Sequence, residues 1–159
     1  AFTESHVNID TFIWPAFGRE TINNIIYISD FTGNPFEDWA KEYVKGRLYE
    51  GIRVHSIAEL TELILQGKVE PYIQENSLIL NLDLDFFNEE DFYGRDPKLK
   101  SDKEVIESLT YLKNLKNWDL ITVALSPEYC GGEKACNHLF QLFLSVFELN
   151  IKNGMSWDK

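Results

Sequence analysis

The chain has 159 residues, of which 44% are hydrophobic and 14% aromatic, so it has the size and composition of one folded domain rather than of a disordered segment. Its 26 acidic and 15 basic residues give a net charge of −11. This charge argues against a nucleic-acid or anionic-membrane partner, since both attract lysine and arginine, and it favours a cationic substrate.

The 2 cysteines are too few for the disulfide scaffold of a small secreted domain. No run approaches the roughly 20 apolar residues of a membrane helix, and the first residues lack the basic and apolar regions of a signal peptide. We therefore expect a cytoplasmic protein that binds neither nucleic acid nor membrane.

Helix and strand patterns alternate in the first half of the chain. Apolar spacing predicts, in order, an irregular helix at 8–22, a strand at 24–30, a helix that passes into a turn at 36–51 and a short strand at 52–56. Ser56 predicts the start of a further helix, because Glu59 three residues later completes a capping box. Gly67 predicts the end of that helix.

The second half continues the alternation. The patterns predict a strand at 77–84, a polar loop at 88–101, a helix from Ser101 or Asp102 to position 117, a strand at 118–126, a loop at 127–134 and a helix at 135–152.

Strands that alternate with helices of this length indicate an α/β fold with a mainly parallel sheet. The segments 78–84 and 120–126 are almost continuously apolar, as in strands that are covered on both faces. No internal repeat or linker interrupts the pattern. Residues 1–159 are therefore predicted to form a single α/β unit.

The segment LILNLDLDFF, residues 78–87, ends an apolar strand with two aspartates. Side chains alternate across a strand, so Asp83 and Asp85 are predicted to share one side. They follow the carboxyl end of the strand, where open α/β sheets bind ligands. Two carboxylates this close repel each other and need a divalent cation, a basic side chain or full solvation. Such oxygen ligands suit magnesium, manganese or calcium.

A solvated loop is the alternative interpretation of this pair, since short acidic motifs often occur by chance. Phe86 and Phe87 favour a functional pair, because aromatic residues directly after the aspartates hold the turn against the fold. The carboxylates are therefore predicted to lie in the mouth of a pocket.

A second strand-to-loop junction lies in ITVALSPEYCGG, residues 121–132. Gly131 and Gly132 permit a sharp turn or a close approach to a ligand. The two junctions are predicted to face one pocket, with Glu128 positioned for a cationic group. An ordinary turn with an exposed glutamate is the alternative.

The segment CGGEKACNH, residues 130–138, contains two cysteines and a histidine. Their spacing matches no common zinc pattern and supplies only three ligands. Cys136 is predicted to pack on the last helix, and Cys130 to be a thiol of the preceding loop.

Four segments together, AFTESHVNIDTFIWPAF, NIIYIS, NLDLDFF and ITVALSPEYCGG, resemble the ureohydrolase (arginase-like) family, and within it the group that includes the peptide arginases. The resemblance covers nearly the whole chain. It implies a three-layer αβα fold, of the arginase and deacetylase type, with a mainly parallel sheet. The implied substrate is an arginine-containing peptide, whose arginine becomes ornithine with release of urea, or a small guanidino compound.

The resemblance also implies two manganese ions that activate water for attack on the guanidinium carbon. Asp83 and Asp85 match the metal-binding carboxylates of the family's second aspartate motif. Glu128 lies beside the position of a guanidinium-binding acid, and His6 and Asn8 fall near the segment that lines the substrate entrance. The resemblance assigns no further catalytic residue.

The chain departs from the family at the metal site. The family's other ligands come from an upstream Asp-x-His-x-Asp strand, and these 159 residues contain no such motif. The resemblance therefore implies the C-terminal part of an arginase-like domain, which lacks the N-terminal strands. We expect this part to be inactive by itself and to need the missing N-terminal segment.

Three other functions remain open. A phosphatase of the haloacid-dehalogenase type would use Asp83 as nucleophile and Asp85 as acid, although that motif normally opens its domain. A nucleotide-sugar transferase with an Asp-x-Asp metal site is a further alternative. A degenerate arginase-like fold would be a non-catalytic module that binds a partner or peptide. Manganese binding separates this last function from the hydrolase.

Overall fold

A computed structural model describes residues 16, 19, 21–28, 50–74, 76–89 and 98–154. The chain divides into two compact units, residues 1–76 and residues 77–159. The described residues of each unit contain one two-stranded parallel sheet together with helices. The predicted α/β class is therefore confirmed, whereas a larger sheet with three layers stays a prediction.

The first unit contains two strands and two helices among its described residues: β1 (Asn24–Ile28), β2 (Glu50–Val54), α1 (Ile57–Leu65) and α2 (Glu70–Ile73). The strands β1 and β2 pair in parallel, with Ile26 opposite Ile52. The turn that was predicted to end the 36–51 segment is not found at Glu50 and Gly51, because both residues already belong to the β2 ladder. Residues 36–49, where the second helix is predicted, lie outside the described residues. Of the helix predicted at 8–22, only positions 16, 19, 21 and 22 are described.

The start of α1 is stabilised by its own side chains. Ser56 accepts a hydrogen bond from the Glu59 N–H at 3.1 Å, as the sequence predicts. The Glu59 carboxylate does not return to Ser56, however, but accepts from the N–H of His55 at 2.7 Å. Gly67 follows the helix with a φ of 69°, a left-handed conformation that glycine adopts without strain.

Among its described residues, the second unit contains two strands and two α-helices: β3 (Ile79–Asp83), α3 (Asp102–Leu115), β4 (Leu120–Ala124) and α4 (Glu133–Val146). The strands β3 and β4 pair in parallel, from Ile79 opposite Leu120 to Asp83 opposite Ala124. Both strands are shorter than predicted. Leu84–Phe87 forms a 3₁₀ turn directly after β3, and Ile151–Asn153 forms another near the end of the unit.

The helices α3 and α4 pack against each other, and α4 also packs against the Leu84–Phe87 turn. In the described part of this unit, the buried apolar side chains are Leu82, Leu84, Phe87, Val105, Leu109, Leu112, Cys130, Cys136, Leu139 and Phe143. Exposure alternates along β3 and β4, so that Ile79 and Leu120 are exposed. The prediction that both faces of these strands are covered is therefore not met within the described residues.

The helix α4 ends at Val146, six residues before the predicted position 152. Glu148 has a φ of 57°, which breaks the helical path. Lys113 on α3 donates from Nζ to the Val146 carbonyl at 2.9 Å, and this contact satisfies one of the orphan carbonyls at the helix end. None of the helices in the described part of the chain has the length and apolar character that a bilayer crossing requires.

Candidate functional site

The candidate site lies where β3 and β4 end. Asp83 is the last residue of β3, and Asp85 lies in the 3₁₀ turn that follows. The prediction that the two aspartates share one side of a strand was wrong, because β3 ends at Asp83 and Asp85 already belongs to the 3₁₀ turn. Leu84 and Phe87 of the same turn are fully buried, so they anchor the acidic residues to the core.

Asp83 has an unusual environment for a carboxylate. Its side chain is half-buried, and its Oδ1 atom is buried with no hydrogen-bond partner among the described residues. An unsatisfied buried oxygen of this kind costs about 1–3 kcal/mol, and more when it carries charge. Without a compensating partner, burial of this oxygen would therefore destabilise the fold.

The Asn88 side chain joins the two predicted junctions. Its Nδ2 atom donates to the Tyr129 carbonyl at 2.9 Å, in the loop after β4. Its Oδ1 atom accepts from the Lys98 N–H at 3.1 Å, and its own N–H donates to the Asp85 carbonyl at 2.8 Å. The loop after β4 is thus held beside the Leu84–Phe87 turn, which contains Asp85 and is called the acidic turn below. Nothing in the sequence pattern identified Asn88 as this link.

The loop after β4 is a compact turn. Ser126 has a φ of 43°, and its carbonyl accepts from the N–H groups of Tyr129 and Cys130 at 3.0 and 2.9 Å. Gly131 and Gly132 then adopt φ angles of 89° and 103°, which turn the chain into α4. Glu128 is exposed on this loop, where its carboxylate is accessible to a cationic group.

Both cysteines are buried at this loop or directly after it. Cys130 is buried in the loop and Cys136 in the first turns of α4, which agrees with the predicted locations. Burial is the main cause that raises the pKa of Cys130 to about 12, and the neighbouring Cys136, Asp85 and Asp83 raise it further. Burial also raises the pKa of Cys136. Manganese and magnesium prefer carboxylate oxygens to thiols, so the carboxylates are the better candidates for such an ion.

Two basic residues, Lys100 and His138, lie near these elements. Lys100 Nζ is 4.5 Å from the centroid of the Phe86 ring, so this ring face stabilises a positive charge beside the acidic turn. His138 on α4 contacts Asp102 on α3 at 2.7 Å. His138 therefore pairs with a helix-start residue, and it is not joined with the two cysteines in a zinc site.

The two aspartates fit part of a metal shell. Carboxylate oxygens are the ligands that manganese and magnesium prefer, and Asp83 Oδ1 is without a protein partner in the described structure. Among the described residues, no three histidine, cysteine or acidic side chains are grouped as metal ligands. The predicted substrate-entrance residues His6 and Asn8 lie outside the described residues.

No protein-family model, curated protein or solved structure matches this chain. The arginase-like resemblance therefore depends on the motifs themselves. Its consequences for fold, metal and substrate stay predictions.

Proposed function

We propose that this chain is part of a manganese-dependent hydrolase with an arginase-like three-layer fold. Its substrate is the guanidinium group of arginine in a peptide, which is converted to ornithine and urea. The observation that carries this proposal is the buried, unpartnered Oδ1 of Asp83 at the carboxyl end of a parallel strand pair. A ligand outside the described residues would compensate the cost of burying this oxygen.

Asp83 and Asp85 would hold the metal from one side. Their positions at the end of β3 and in the adjoining turn place them at the edge where parallel sheets bind ligands. The buried Leu84 and Phe87 limit the movement of this turn, and such preorganisation favours metal binding. When bound, manganese supplies the Lewis acidity and the low water pKa that hydrolysis at neutral pH requires. The other ligands would come from the upstream motif of the family.

The guanidinium substrate is a planar cation, which carboxylates bind through paired hydrogen bonds. Glu128 is exposed on the loop after β4, and the Asn88–Tyr129 hydrogen bond holds this loop beside the acidic turn. The net charge of −11 also favours the approach of a positive substrate. His6 and Asn8 are proposed to line the entrance for the peptide.

The direct test is a urea assay on the full-length gene product that carries these 159 residues. The protein is loaded with manganese and given a peptide with one internal arginine. We expect urea, together with a peptide that is lighter by one carbon, two nitrogen and two hydrogen atoms. The Asp83→Asn variant should lose this activity. The Asp119→Asn variant is the matched control, because Asp119 lies at the opposite end of the same strand pair and bonds the backbone there.

Other results would identify the alternatives. A phosphorylated Asp83 after incubation with a phosphate ester would support the phosphatase and contradict the hydrolase. Peptide binding without urea release, in protein that retains no manganese, would support a non-catalytic binding module.

A further inference from the structure

We propose that Cys130 and Cys136 form a reversible disulfide, so that this pair is an oxidation site of the protein. The two sulfur atoms converge on one acceptor: Cys130 Sγ lies 3.1 Å and Cys136 Sγ 2.9 Å from the Leu125 carbonyl oxygen. Each thiol also lies close enough to the other to affect its pKa. This proposal does not depend on the proposed hydrolase activity.

The backbone between the cysteines explains why they meet. Gly131 and Gly132 have φ angles of 89° and 103°, a region that favours glycine and reverses the chain direction. The Cys136 N–H then donates to the Gly132 carbonyl at 3.0 Å as α4 begins. The last loop residue before the glycines and the first buried residue of the helix are therefore brought side by side. A bond between them would close only a short loop.

The thiol pair adjoins the candidate site. Besides burial, the charges of Asp85 and Asp83 raise the pKa of Cys130, and the Asn88–Tyr129 hydrogen bond joins the loop of Cys130 to the turn that carries Asp85. A disulfide would remove both S–H donors from the Leu125 carbonyl and would tie the loop that carries Glu128 to α4. Oxidation is thus expected to stiffen the loop beside the acidic turn.

The reaction requires a small disulfide, such as oxidised glutathione, as the oxidant. The Cys136 sulfur attacks one sulfur of the small disulfide, so that a mixed disulfide forms and one small thiol leaves with the proton. The Cys130 sulfur then attacks the Cys136 sulfur of this mixed disulfide. The second small thiol leaves with the second proton. The two protein thiols are oxidised, and one small disulfide is reduced to two thiols.

Burial sets the rate of this reaction. Cys130 and Cys136 are 0% and 3% exposed, so the oxidant reaches them only when the loop opens locally. Oxidation of the native protein should therefore be slow, and it should become faster in denaturant concentrations below the unfolding transition.

The test is intact mass spectrometry of the full-length native protein after equilibration with excess oxidised glutathione. We expect loss of two hydrogen atoms, a disulfide-linked peptide that contains both cysteines after proteolysis, and full reversal by dithiothreitol. The single variants Cys130→Ala and Cys136→Ala are the controls. Each retains one thiol of the pair, so each should instead accumulate a stable mixed disulfide with one glutathione.

Three results would overturn the proposal: an unchanged mass after equilibration, two glutathione adducts on the wild-type protein, or a disulfide that joins two chains. If either variant does not fold, the wild-type mass and the linked peptide still decide the outcome.

Discussion

The two ends of the β3–β4 pair carry the same residue type in opposite situations. At the amino end, Asp119 accepts a hydrogen bond from the Leu78 N–H at 2.7 Å, and its own N–H donates to the Leu78 carbonyl at 2.9 Å. At the carboxyl end, Asp83 Oδ1 is buried and finds no partner among the described residues.

This difference is what the proposed function expects, with Asp119 serving the fold and Asp83 serving a ligand. Asp119 has a structural role, because its carboxylate satisfies a backbone group where two strands begin. Asp83 makes no such contribution through Oδ1, and its burial has a cost. The proposed metal-binding function would explain why the cost is retained. Three sets of substitutions test this difference. They truncate the aromatic residue that anchors the acidic turn, replace each of the two aspartates with leucine, and remove the hydrogen bonds of a helix cap.

The largest expected effect comes from Phe87, which anchors the acidic turn. Phe87 is fully buried, so Phe87→Ala should lower the free energy of unfolding by about 3–5 kcal/mol. Urea denaturation monitored by circular dichroism measures this change. Phe86→Ala is the control, because Phe86 is only half-buried, and it should cost clearly less. Equal costs for both variants would show that Phe87 is not the anchor.

The two aspartates should respond with opposite signs to the same substitution. Asp83→Leu replaces a buried unsatisfied group with an apolar one of similar shape, so the free energy of unfolding should rise by about 1–2 kcal/mol. Asp119→Leu leaves the Leu78 N–H without its side-chain acceptor and should lower it by about 1 kcal/mol. Both changes are measured by denaturant unfolding. A loss of stability in both variants would remove the distinction between the two ends.

A smaller effect on the free energy of unfolding is expected at the start of α3, where two residues form reciprocal hydrogen bonds. Ser101 accepts from the Glu104 N–H, and the Glu104 carboxylate accepts from the Ser101 N–H at 3.0 Å. Ser101→Ala should therefore lower the free energy of unfolding by about 1 kcal/mol. Ser145→Ala is the control, because this exposed serine lies inside α4, where alanine is the better helix former. A stability gain from both changes would contradict the capping role.

The smallest effect is a pH dependence at the same cap. The side-chain hydrogen bond and then the backbone hydrogen bond from Ser101 lower the pKa of Glu104 below its ordinary value. An acid with a lowered native pKa stabilises the fold above its unfolded-state pKa, and this contribution disappears as the pH falls through the native pKa. The stability difference between wild type and Glu104→Gln should therefore shrink in acid, as followed by unfolding at several pH values. If the stability difference between the two proteins grew as the pH fell, the stabilising role of the Glu104 carboxylate at the cap would be contradicted.

Local signals predicted the parts of the fold in which a residue and its partner are near in sequence. The Ser101 cap, the Ser56 cap and the left-handed Gly67 are of this kind, because their partners lie within one helical turn. The apolar runs likewise predicted β3 and β4, although the strands end earlier than expected.

The errors concern contacts that join distant parts of the chain. At the end of α4, the Val146 carbonyl accepts a hydrogen bond from Lys113, which lies on α3. The link between the acidic turn and the loop after β4 depends on Asn88 and Tyr129, 41 residues apart. The aspartate pair was identified, but the 3₁₀ conformation at Asp85 follows from the burial of Leu84 and Phe87, which the alternating pattern does not encode.

The most direct measurement is a manganese titration of the full-length gene product, with free Mn²⁺ followed by electron paramagnetic resonance. Wild-type protein and the Asp119→Asn variant should bind manganese with the same affinity, because the Asp119 carboxylate bonds the Leu78 N–H at the opposite end of the strand pair. The Asp83→Asn variant should bind at least about tenfold more weakly. Equal affinity in wild type and Asp83→Asn would contradict the claim that the unpartnered carboxylate is kept for a metal ion.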